Sequence, residues 1–415
     1  AMSDVVVIGA GLAGLTAALR LARSGRSVML VTKGPGGLQL SQGTLDILGY
    51  TPERVERPLE AVAAVASDHP YASIGADAVG AAVGWLAGAL GPDLLVGDPA
   101  RNHHLPTAVG ALRPTALAQP SMVAGDAIGG RSYAVVGVRQ LKDFPADLVA
   151  GNLARSTAPD GGALAASAAW VDLPARPGEA DPSPLTYARA LDEEAFAARF
   201  ARAVAAAAGP GDVVALPAVL GVRRSGVWRQ VAEVVGRDVC EIPLPPPSVP
   251  GLRLYEALLA LVRAAGVRIV TGSRIVGRTL EADAVASVTL AAAGGPRQLR
   301  ADAFVYAPGG FESGALEVDS FGAISEPMFG LPLTATDAGP LIPATYWGPH
   351  PLFAVGVRTD AAGRPVDAAG AAVHPNLYVA GGLIAGAARW REKSGDGIAV
   401  ATAVRAADHI TGGTR

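Results

Sequence analysis

A chain of 415 residues is longer than one hydrophobic core usually supports, so we expect two lobes. A formal net charge of −3 gives no reason to expect a nucleic acid or an anionic membrane surface as a partner. The single cysteine, Cys240, excludes an internal disulfide and a cysteine-ligated iron–sulfur cluster, and no metal site is predicted. We therefore expect any electron carrier to be an organic cofactor.

The first predicted strand, residues 5–8, is a run of valine and isoleucine, which is typical of a strand buried on both faces. It leads directly into a G-x-G-x-x-G motif that consists of Gly9, Ala10, Gly11, Leu12, Ala13 and Gly14. An Ala/Leu-rich helix follows as far as residue 23, and a second strand covers residues 27–31. In this βαβ context the motif predicts a dinucleotide site with its phosphates at the positive end of the helix. The alternative is an accidental glycine-rich turn.

Thr32 and Lys33 follow the second strand, where nicotinamide-binding units normally carry an acidic residue for the adenosine ribose. A hydroxyl can still hydrogen-bond a ribose, but the missing carboxylate disfavours NAD as a tightly held ligand. The next segment is rich in glycine, serine and threonine, which suits a backbone that runs close to a cofactor; the alternative is a flexible surface loop. The cofactor contacts predicted here are Gly34, Leu40, Ser41, Gln42, Gly43 and Thr44.

Residues 51–240 are predicted to form an insertion, or cap, domain. Helical patches such as 76–90 and 193–208 alternate with strands such as 133–138. The longest apolar run, 78–90, is too short to cross a bilayer, and no signal peptide is visible. We therefore expect a cytoplasmic protein.

The proline-rich stretch 243–251 is expected to be extended, because its prolines fix φ and remove hydrogen-bond donors. It would return the chain to the cofactor lobe, whose second part we place at 241–310. A helix at 253–265 follows it, and then a strand that ends at Ile275, which we include among the cofactor contacts.

Two late strands end in glycine turns, and the terminal helix begins at a third glycine-rich stretch. The predicted contacts in the two turns are Ala307, Pro308, Gly309, Gly381 and Gly382. Those at the start of the helix are Gly395, Asp396, Gly397 and Ile398. The bare N–H groups of this helix start could bind a flavin's pyrimidine carbonyl and stabilise negative charge on the reduced ring. The alternative is that these glycines only turn the chain.

The cofactor lobe would thus be assembled from residues 1–50, 241–310 and 366–415, with cap-associated strands and loops at 311–365. Its three glycine segments resemble the cofactor segments of two-domain FAD flavoproteins of the succinate dehydrogenase/fumarate reductase type. These proteins also tend to place Thr or Ser with Lys after the second strand. The resemblance implies an α/β fold: a Rossmann-like, GR2-type flavoprotein with three ββα layers and a large α+β insertion domain.

More closely, the chain resembles the B-subunit of anaerobic glycerol-3-phosphate dehydrogenase. The most specific matches are the Ser-Gln-Gly-Thr-Leu-Asp loop at 41–46 and the proline-rich crossing, and further matches span nearly the whole chain. The family implies a flavoprotein that works beside two partner subunits. One is the catalytic flavoprotein A-subunit, and the other is the membrane-associated iron–sulfur C-subunit. Together they oxidise glycerol 3-phosphate to dihydroxyacetone phosphate and pass electrons to quinone. The chain would then lie at the inner face of the membrane through a partner.

Family descriptions favour FMN for this flavoprotein, but FMN has no pyrophosphate. Because Gly9, Gly11 and Gly14 form a pyrophosphate site, we predict FAD. The chain departs from its relatives before the terminal helix, where they have a Cys-Gly pair and this chain has Arg-Glu-Lys-Ser-Gly-Asp-Gly at 391–397.

Oxidation of a phosphorylated alcohol needs a base near the hydroxyl and cations for the phosphate. The catalytic candidates near the expected flavin are His350, Arg389 and Arg391, beside His374, Arg253 and Arg358. No pair among them has a spacing that demands catalysis, which favours an electron-transferring protein whose substrate is oxidised mainly on a partner chain. The alternatives are a self-sufficient FAD oxidoreductase with its own pocket and a Rossmann protein without a cofactor.

Overall fold

The computed structural model describes residues 3–412 of the chain. The outermost positions of the first and last predicted segments, 1–2 and 413–415, lie outside the described residues. Within 3–412, no helix has both the length and the apolar character that a membrane span requires.

The described chain contains 18 strands and 11 α-helices. The strands are β1 Val5–Ile8, β2 Val28–Thr32, β3 Val96–Gly97, β4 His103–Pro106, β5 Leu112–Thr115, β6 Leu117–Ala118, β7 Ser132–Val138, β8 Ala165–Val171, β9 Val213–Pro217, β10 Asp238–Ile242, β11 Arg268–Thr271, β12 Ile275–Glu281, β13 Ala284–Leu290, β14 Arg297–Arg300, β15 Ala303–Tyr306, β16 Glu317–Val318, β17 Ile324–Ser325 and β18 Leu377–Val379. The α-helices are α1 Leu12–Arg23, α2 Pro58–Val62, α3 Ala76–Leu90, α4 Pro120–Val123, α5 Ala146–Leu153, α6 Pro184–Leu191, α7 Glu194–Ala207, α8 Val227–Val235, α9 Val249–Ala264, α10 Arg389–Glu392 and α11 Gly395–Ile410.

The first lobe is built on a parallel sheet in the order β11-β2-β1-β15-β18. Its central strand β1 is buried on both faces. Val5 and Val7 belong to a core that also contains residues of α1, α3, α9 and α11, whereas Val6 and Ile8 share a core with residues of β13 and with Phe329. Helices therefore cover one face and the antiparallel strands β12–β14 the other. These layers confirm the predicted Rossmann-like flavoprotein fold.

Part of the predicted insertion belongs to the core of this first lobe. The apolar helix α3 packs against α11, and Val79 and Leu86 are buried there with Leu15 of α1. Tyr71 and Leu117 join the same core. A helix as apolar as α3 is stabilised only when other elements cover it, and here the helical face of the cofactor lobe does so.

The second lobe has a core that starts at Ala127 and ends at Val249. Its sheet has the order β10-β9-β7-β8 and is parallel throughout. Each connection contains at least one helix, because parallel strands need a crossover of a dozen residues or more. The sequence predicted an α+β insertion, whereas the main sheet of this lobe has an α/β arrangement.

The crossing between the lobes, residues 243–248, contains neither helix nor strand and bends at 245–247, and α9 then begins at Val249. The prediction that 249–251 is extended was therefore wrong. Ser248 caps the helix by accepting the N–H of Gly251 at 3.1 Å, and Pro250 lies in the first turn. A proline there loses no intrahelical hydrogen bond, since first-turn N–H groups have no helical partner.

Candidate functional site

The glycine motif between β1 and α1 forms a turn in which two of the three glycines are sterically required. Gly9 has φ = +109°, and a Cβ there would overlap the carbonyl oxygen of Ala307. A Cβ on Gly14 would overlap the carbonyl oxygen of Gly9. Gly11, the N-cap of α1, has an ordinary φ of −75°, and a Cβ there would have no described atom within 4 Å. Open space at the N-terminus of α1 fits a pyrophosphate.

The segment after β2 passes directly over this turn. The N–H of Gly34 donates to the Thr32 hydroxyl at 3.2 Å, so that hydroxyl holds the turn, and Lys33 is exposed. Gly36 has φ = +71°, and a Cβ on it would lie 2.8 Å from the backbone nitrogen of Gly11. The backbone therefore runs close to the turn in which the sequence places the phosphates.

The rest of this segment enters the interface between the lobes. Gly43 has φ = +72°, and a Cβ on it would meet the backbone of Pro250 and lie 2.6 Å from Nε2 of Gln119. The Ser41 hydroxyl accepts the Gly43 N–H at 3.2 Å. Beside them is a cavity of about 260 Å³, the interlobe cavity. It is lined by Leu40, Gln42, Thr44, 105–109, Arg113, Thr115, Met122 and 243–246.

The turns after β15 and β18 meet the same edge of the sheet. The N–H of Ala307 donates to the carbonyl of Ile8 at 2.9 Å, and the Pro308–Gly309 turn follows. The N–H of Gly381 donates to the Thr402 hydroxyl at 2.9 Å, and the carbonyl of Gly382 accepts a hydrogen bond from Arg389. Carboxyl ends of parallel strands share one edge, which explains why these distant segments converge.

The start of α11 leaves two N–H groups without a partner among the described residues, those of Gly395 and Asp396. The N–H of Gly397 donates to the carbonyl of Asp46 at 2.9 Å, and that of Ile398 to the carbonyl of Ser394 at 3.0 Å. Two of the four predicted N–H groups can therefore bind a flavin carbonyl, and the other two hold the helix in place.

Gly395 and Asp396 lie in the wall of a second cavity of about 430 Å³, the charged cavity. Its other lining residues are Asp46, Arg113, Glu312, Phe353, Arg389, Trp390 and Lys393. Arg113 lines both cavities, and its buried Nε has no hydrogen-bond partner among the described residues. Its guanidinium is paired with the carboxylate of Asp46, which also accepts hydrogen bonds from Thr115 and, at 3.2 Å, from Thr44.

Burial and nearby charges shift the pKa of several groups in this cavity. Burial, followed by the negative charge of Asp46, raises the pKa of Asp396 to about 7. Burial, followed by the positive charge of Arg113, lowers the pKa of Lys393. Burial lowers the pKa of Arg389, against the opposing charge of Glu312. A carboxyl group with a pKa near neutrality beside several cations can exchange a proton under physiological conditions.

Comparison with known proteins shows the family of the chain. A family model described as an FAD binding domain matches residues 4–398. A probable anaerobic glycerol-3-phosphate dehydrogenase B-subunit of Halobacterium salinarum is 35% identical over 417 residues, which cover 96% of each chain. The B-subunit of the Pectobacterium carotovorum enzyme is 31% identical over 422 residues, which cover 98% of each chain. The chain belongs to the anaerobic glycerol-3-phosphate dehydrogenase B-subunit family.

Two solved structures are similar at 12% identity. A 3-ketosteroid delta1-dehydrogenase from Sterolibacterium denitrificans has a TM-score of 0.47, with 99% of each chain covered. The open conformation of a flavocytochrome c3 fumarate reductase has a TM-score of 0.47 and covers 99% of this chain and 78% of that one.

Membership of the B-subunit family makes the chain an FAD-dependent oxidoreductase. The FAD-binding domain confirms the predicted cofactor, FAD. The cradle fits it, because the Gly11 turn has room for a pyrophosphate. The N–H groups of Gly395 and Asp396 could hold the pyrimidine edge of the ring, where positive potential stabilises negative charge.

The three catalytic candidates that we chose for this B-subunit lie in different places. Arg389 reaches the charged cavity and bonds to Gly382. Arg391 instead lines a groove with Tyr50, Thr51 and Pro52 on the outer surface. The ring of His350 lies 6.4 Å from that of Trp390 and does not line the charged cavity. Their catalytic roles stay predictions.

Other predicted positions have structural partners. Arg253 makes a bidentate pair with the buried Glu241, and His374 Nδ1 lies 2.7 Å from the carbonyl of Asp283. Ile275 begins β12 and packs at the edge of the core on the β13 side.

Sequence reasoning assigned no site role to Asp46, Arg113 or Lys393, although all three line the charged cavity. Asp46 ends the Ser-Gln-Gly-Thr-Leu-Asp loop, and Arg113 lies in a hairpin strand of the predicted insertion. Position along the chain gave no sign that these residues meet. The one usable signal was a carboxylate within a loop already predicted to approach the cofactor.

Proposed function

We propose that this chain is the FAD-bearing subunit of a complex that oxidises glycerol 3-phosphate to dihydroxyacetone phosphate. In this proposal its flavin passes the electrons to an iron–sulfur partner and then to quinone. One observation supports it above the others: the segment after β2 passes over the open Gly11 turn and then, at Asp46, bonds to the start of α11, where the N–H groups of Gly395 and Asp396 have no partner among the described residues. An extended FAD suits that arrangement. The names of relatives matched over nearly the full chain supply the substrate.

An exposed aromatic patch beside the charged cavity supports a partner protein. The patch consists of Tyr346, Trp347, His350, Phe353 and Trp390, whose rings follow one another at centroid distances of 4.9 to 6.4 Å. Trp347 is 88% exposed and Tyr346 78% exposed. Contiguous exposed aromatics mark protein contacts, and aromatic residues are enriched in interfaces. Because Phe353 and Trp390 also line the charged cavity, an electron-accepting partner docked here would lie close to the flavin.

The proposal is tested by purifying the chain alone and with its partner subunits under anaerobic conditions. We expect the purified chain to be yellow and to release FAD rather than FMN when it is denatured. Glycerol 3-phosphate should bleach this flavin slowly in the isolated chain and rapidly in the complex. A colourless chain that takes up no FAD would contradict the proposal.

A second candidate function is oxidation of the substrate within this chain, and the charged cavity favours it. Arg113, Arg389 and Lys393 could bind a phosphate, and Asp396 could accept the hydroxyl proton. The spacing of these residues in the sequence did not predict this phosphate-binding and proton-accepting group. Rapid bleaching of the isolated chain by glycerol 3-phosphate would favour this function over electron relay.

A further inference from the structure

Asp396 differs from the other carboxylate of the charged cavity wall, Asp46, in how its oxygens are bonded. One oxygen of Asp46 is paired with Arg113, and the other accepts hydrogen bonds from Thr115 and Thr44. Asp396 accepts one hydrogen bond among the described residues, from the Asp46 N–H to Oδ2 at 3.1 Å. Its other oxygen accepts no hydrogen bond from the described residues, and Asp396 lines the charged cavity.

We infer that Asp396 takes up a proton from solvent when the flavin of this chain is reduced and releases it when the flavin is reoxidised. The inference rests on the proposed function, which places the pyrimidine edge of the flavin at the N–H groups of Gly395 and Asp396. It does not depend on which subunit oxidises the substrate.

The electron and proton balance is simple. Two electrons and one proton convert the oxidised ring into its reduced form with one added negative charge. A second proton, from solvent, converts the Asp396 carboxylate into the neutral acid. Reoxidation removes the two electrons and both protons. Protonation of Asp396 thus cancels the charge that reduction adds at the start of α11.

The surrounding charges determine which group responds. Asp46 and Glu312 add negative charge, whereas Arg113, Arg389 and Lys393 add positive charge. Two other nearby groups have partners outside the cavity. Glu392 is bonded to His69 at 3.1 Å and to Ser394 at 2.9 Å, and the Tyr71 hydroxyl donates to the carbonyl of Ile47 at 2.7 Å.

Of these groups, Asp396 has the property that the role requires. Burial and the charge of Asp46 already bring its pKa to about 7. A negative charge on the ring would raise this pKa further, so proton uptake would occur just above neutral pH.

The test measures proton uptake by the purified, flavin-loaded chain. The flavin is photoreduced anaerobically without dithionite in weak buffer, and a pH-indicator dye reports the protons taken up. Near pH 7.5, we expect about two protons per flavin in the unmodified chain and about one in Asp396→Asn, because one linked site is lost. The matched control is Asp77→Asn, which changes an exposed first-turn aspartate of another helix, α3. This control should keep the unmodified stoichiometry.

A second variant keeps the inference testable if Asp396→Asn binds flavin poorly. Asp46→Asn removes the neighbouring negative charge, so the pH range of the extra proton should shift downward. The inference is wrong if Asp396→Asn, loaded with flavin, takes up as many protons as the unmodified chain, or if Asp46→Asn leaves the range unchanged. Failure of the unmodified chain to bind flavin would instead contradict the proposed function.

Discussion

The backbone N–H of Asp46 donates a 3.1 Å hydrogen bond to Oδ2 of Asp396, 350 residues further along the chain. The carbonyl of Asp46 in turn accepts the N–H of Gly397 at 2.9 Å. These two bonds join the loop after β2 to the first turn of α11. Because they fix the start of α11 against that loop, they position the N–H groups of Gly395 and Asp396, which have no partner among residues 3–412 and which we assign to the flavin.

This pair gives the flavin-free protein a pH-dependent stability. The folded-state pKa of Asp396, about 7, lies above its ordinary value of 3.8. The contribution of its protonated form to the free energy of unfolding is therefore fully present below pH 4 and is lost as the pH rises to 7. An asparagine at position 396 does not titrate, so the variant does not lose this stability as the pH rises. Asp396→Asn should therefore match the unmodified protein at pH 4 and exceed its free energy of unfolding at pH 8 by more than about 1.4 kcal/mol, the equivalent of one pKa unit. Urea unfolding at both pH values measures this difference, and an equal difference at both would exclude the raised pKa.

Gly11→Ala should separate cofactor binding from folding. Because a Cβ on Gly11 would meet no described atom and φ is ordinary, the flavin-free variant should unfold at nearly the unmodified temperature. The added methyl group would occupy the space assigned to the pyrophosphate, so we expect FAD affinity to fall by at least about tenfold, or roughly 1.4 kcal/mol. Fluorescence titration with FAD measures the affinity.

Two further glycine variants serve as controls for Gly11→Ala. Gly14→Ala places a Cβ on the Gly9 carbonyl oxygen and should destabilise the fold itself. Gly84→Ala, at an exposed position of α3, should leave FAD binding unchanged and stabilise the helix by up to about 1 kcal/mol. If Gly11→Ala binds FAD as tightly as Gly84→Ala does, the phosphates do not lie at Gly11.

Local patterns predicted the elements of the fold well where the residues themselves decide the structure. The run at 5–8 is a fully buried strand, and the apolar stretch from Ala76 to Leu90 is helix α3 with those same bounds. Assignment of α3 to a lobe needed tertiary information, because an apolar helix can pack on any apolar surface. The parallel sheet of the second lobe was missed for the same reason: short buried strands look alike whether their neighbours are parallel or antiparallel.

The candidate site also contains one part that could be predicted from the sequence and one part that could not. The turn after β1 could be predicted because Gly9 and Gly14 meet a local backbone requirement. The Asp46–Arg113 pair could not, since the two residues are 67 positions apart and come from different elements. Long-range charge pairs leave no periodic signal in a single sequence.

Cys240 should be unreactive in the folded protein. Its side chain is buried in the core of the second lobe, and burial raises the pKa of the thiol to about 12. Since the thiolate is the reactive form, a thiol reagent should modify no cysteine at pH 8 until denaturant is added, and then one per chain. Modification of native protein at the rate of a free thiol would show that this core opens readily.

The ion pair between Arg253 and Glu241 should stabilise the junction between the two lobes. Glu241 is 3% exposed and also accepts hydrogen bonds from the Ser121 hydroxyl at 2.7 Å and the Leu220 N–H at 2.8 Å. Arg253→Met would leave that carboxylate buried without its cation, so we expect a loss of about 3–5 kcal/mol in the free energy of unfolding. Denaturant unfolding of the flavin-free chain measures it.

A double variant and an exposed pair complete this experiment. Adding Glu241→Gln to Arg253→Met removes the uncompensated charge while keeping an acceptor for Ser121, so it should recover more than half of the loss. Arg229→Met breaks an exposed pair with Asp93 at 3.6 Å and should cost no more than about 1 kcal/mol. If Arg253→Met costs as little as Arg229→Met, Glu241 is reached by water or carries a proton, and its pair with Arg253 does not hold the lobes together.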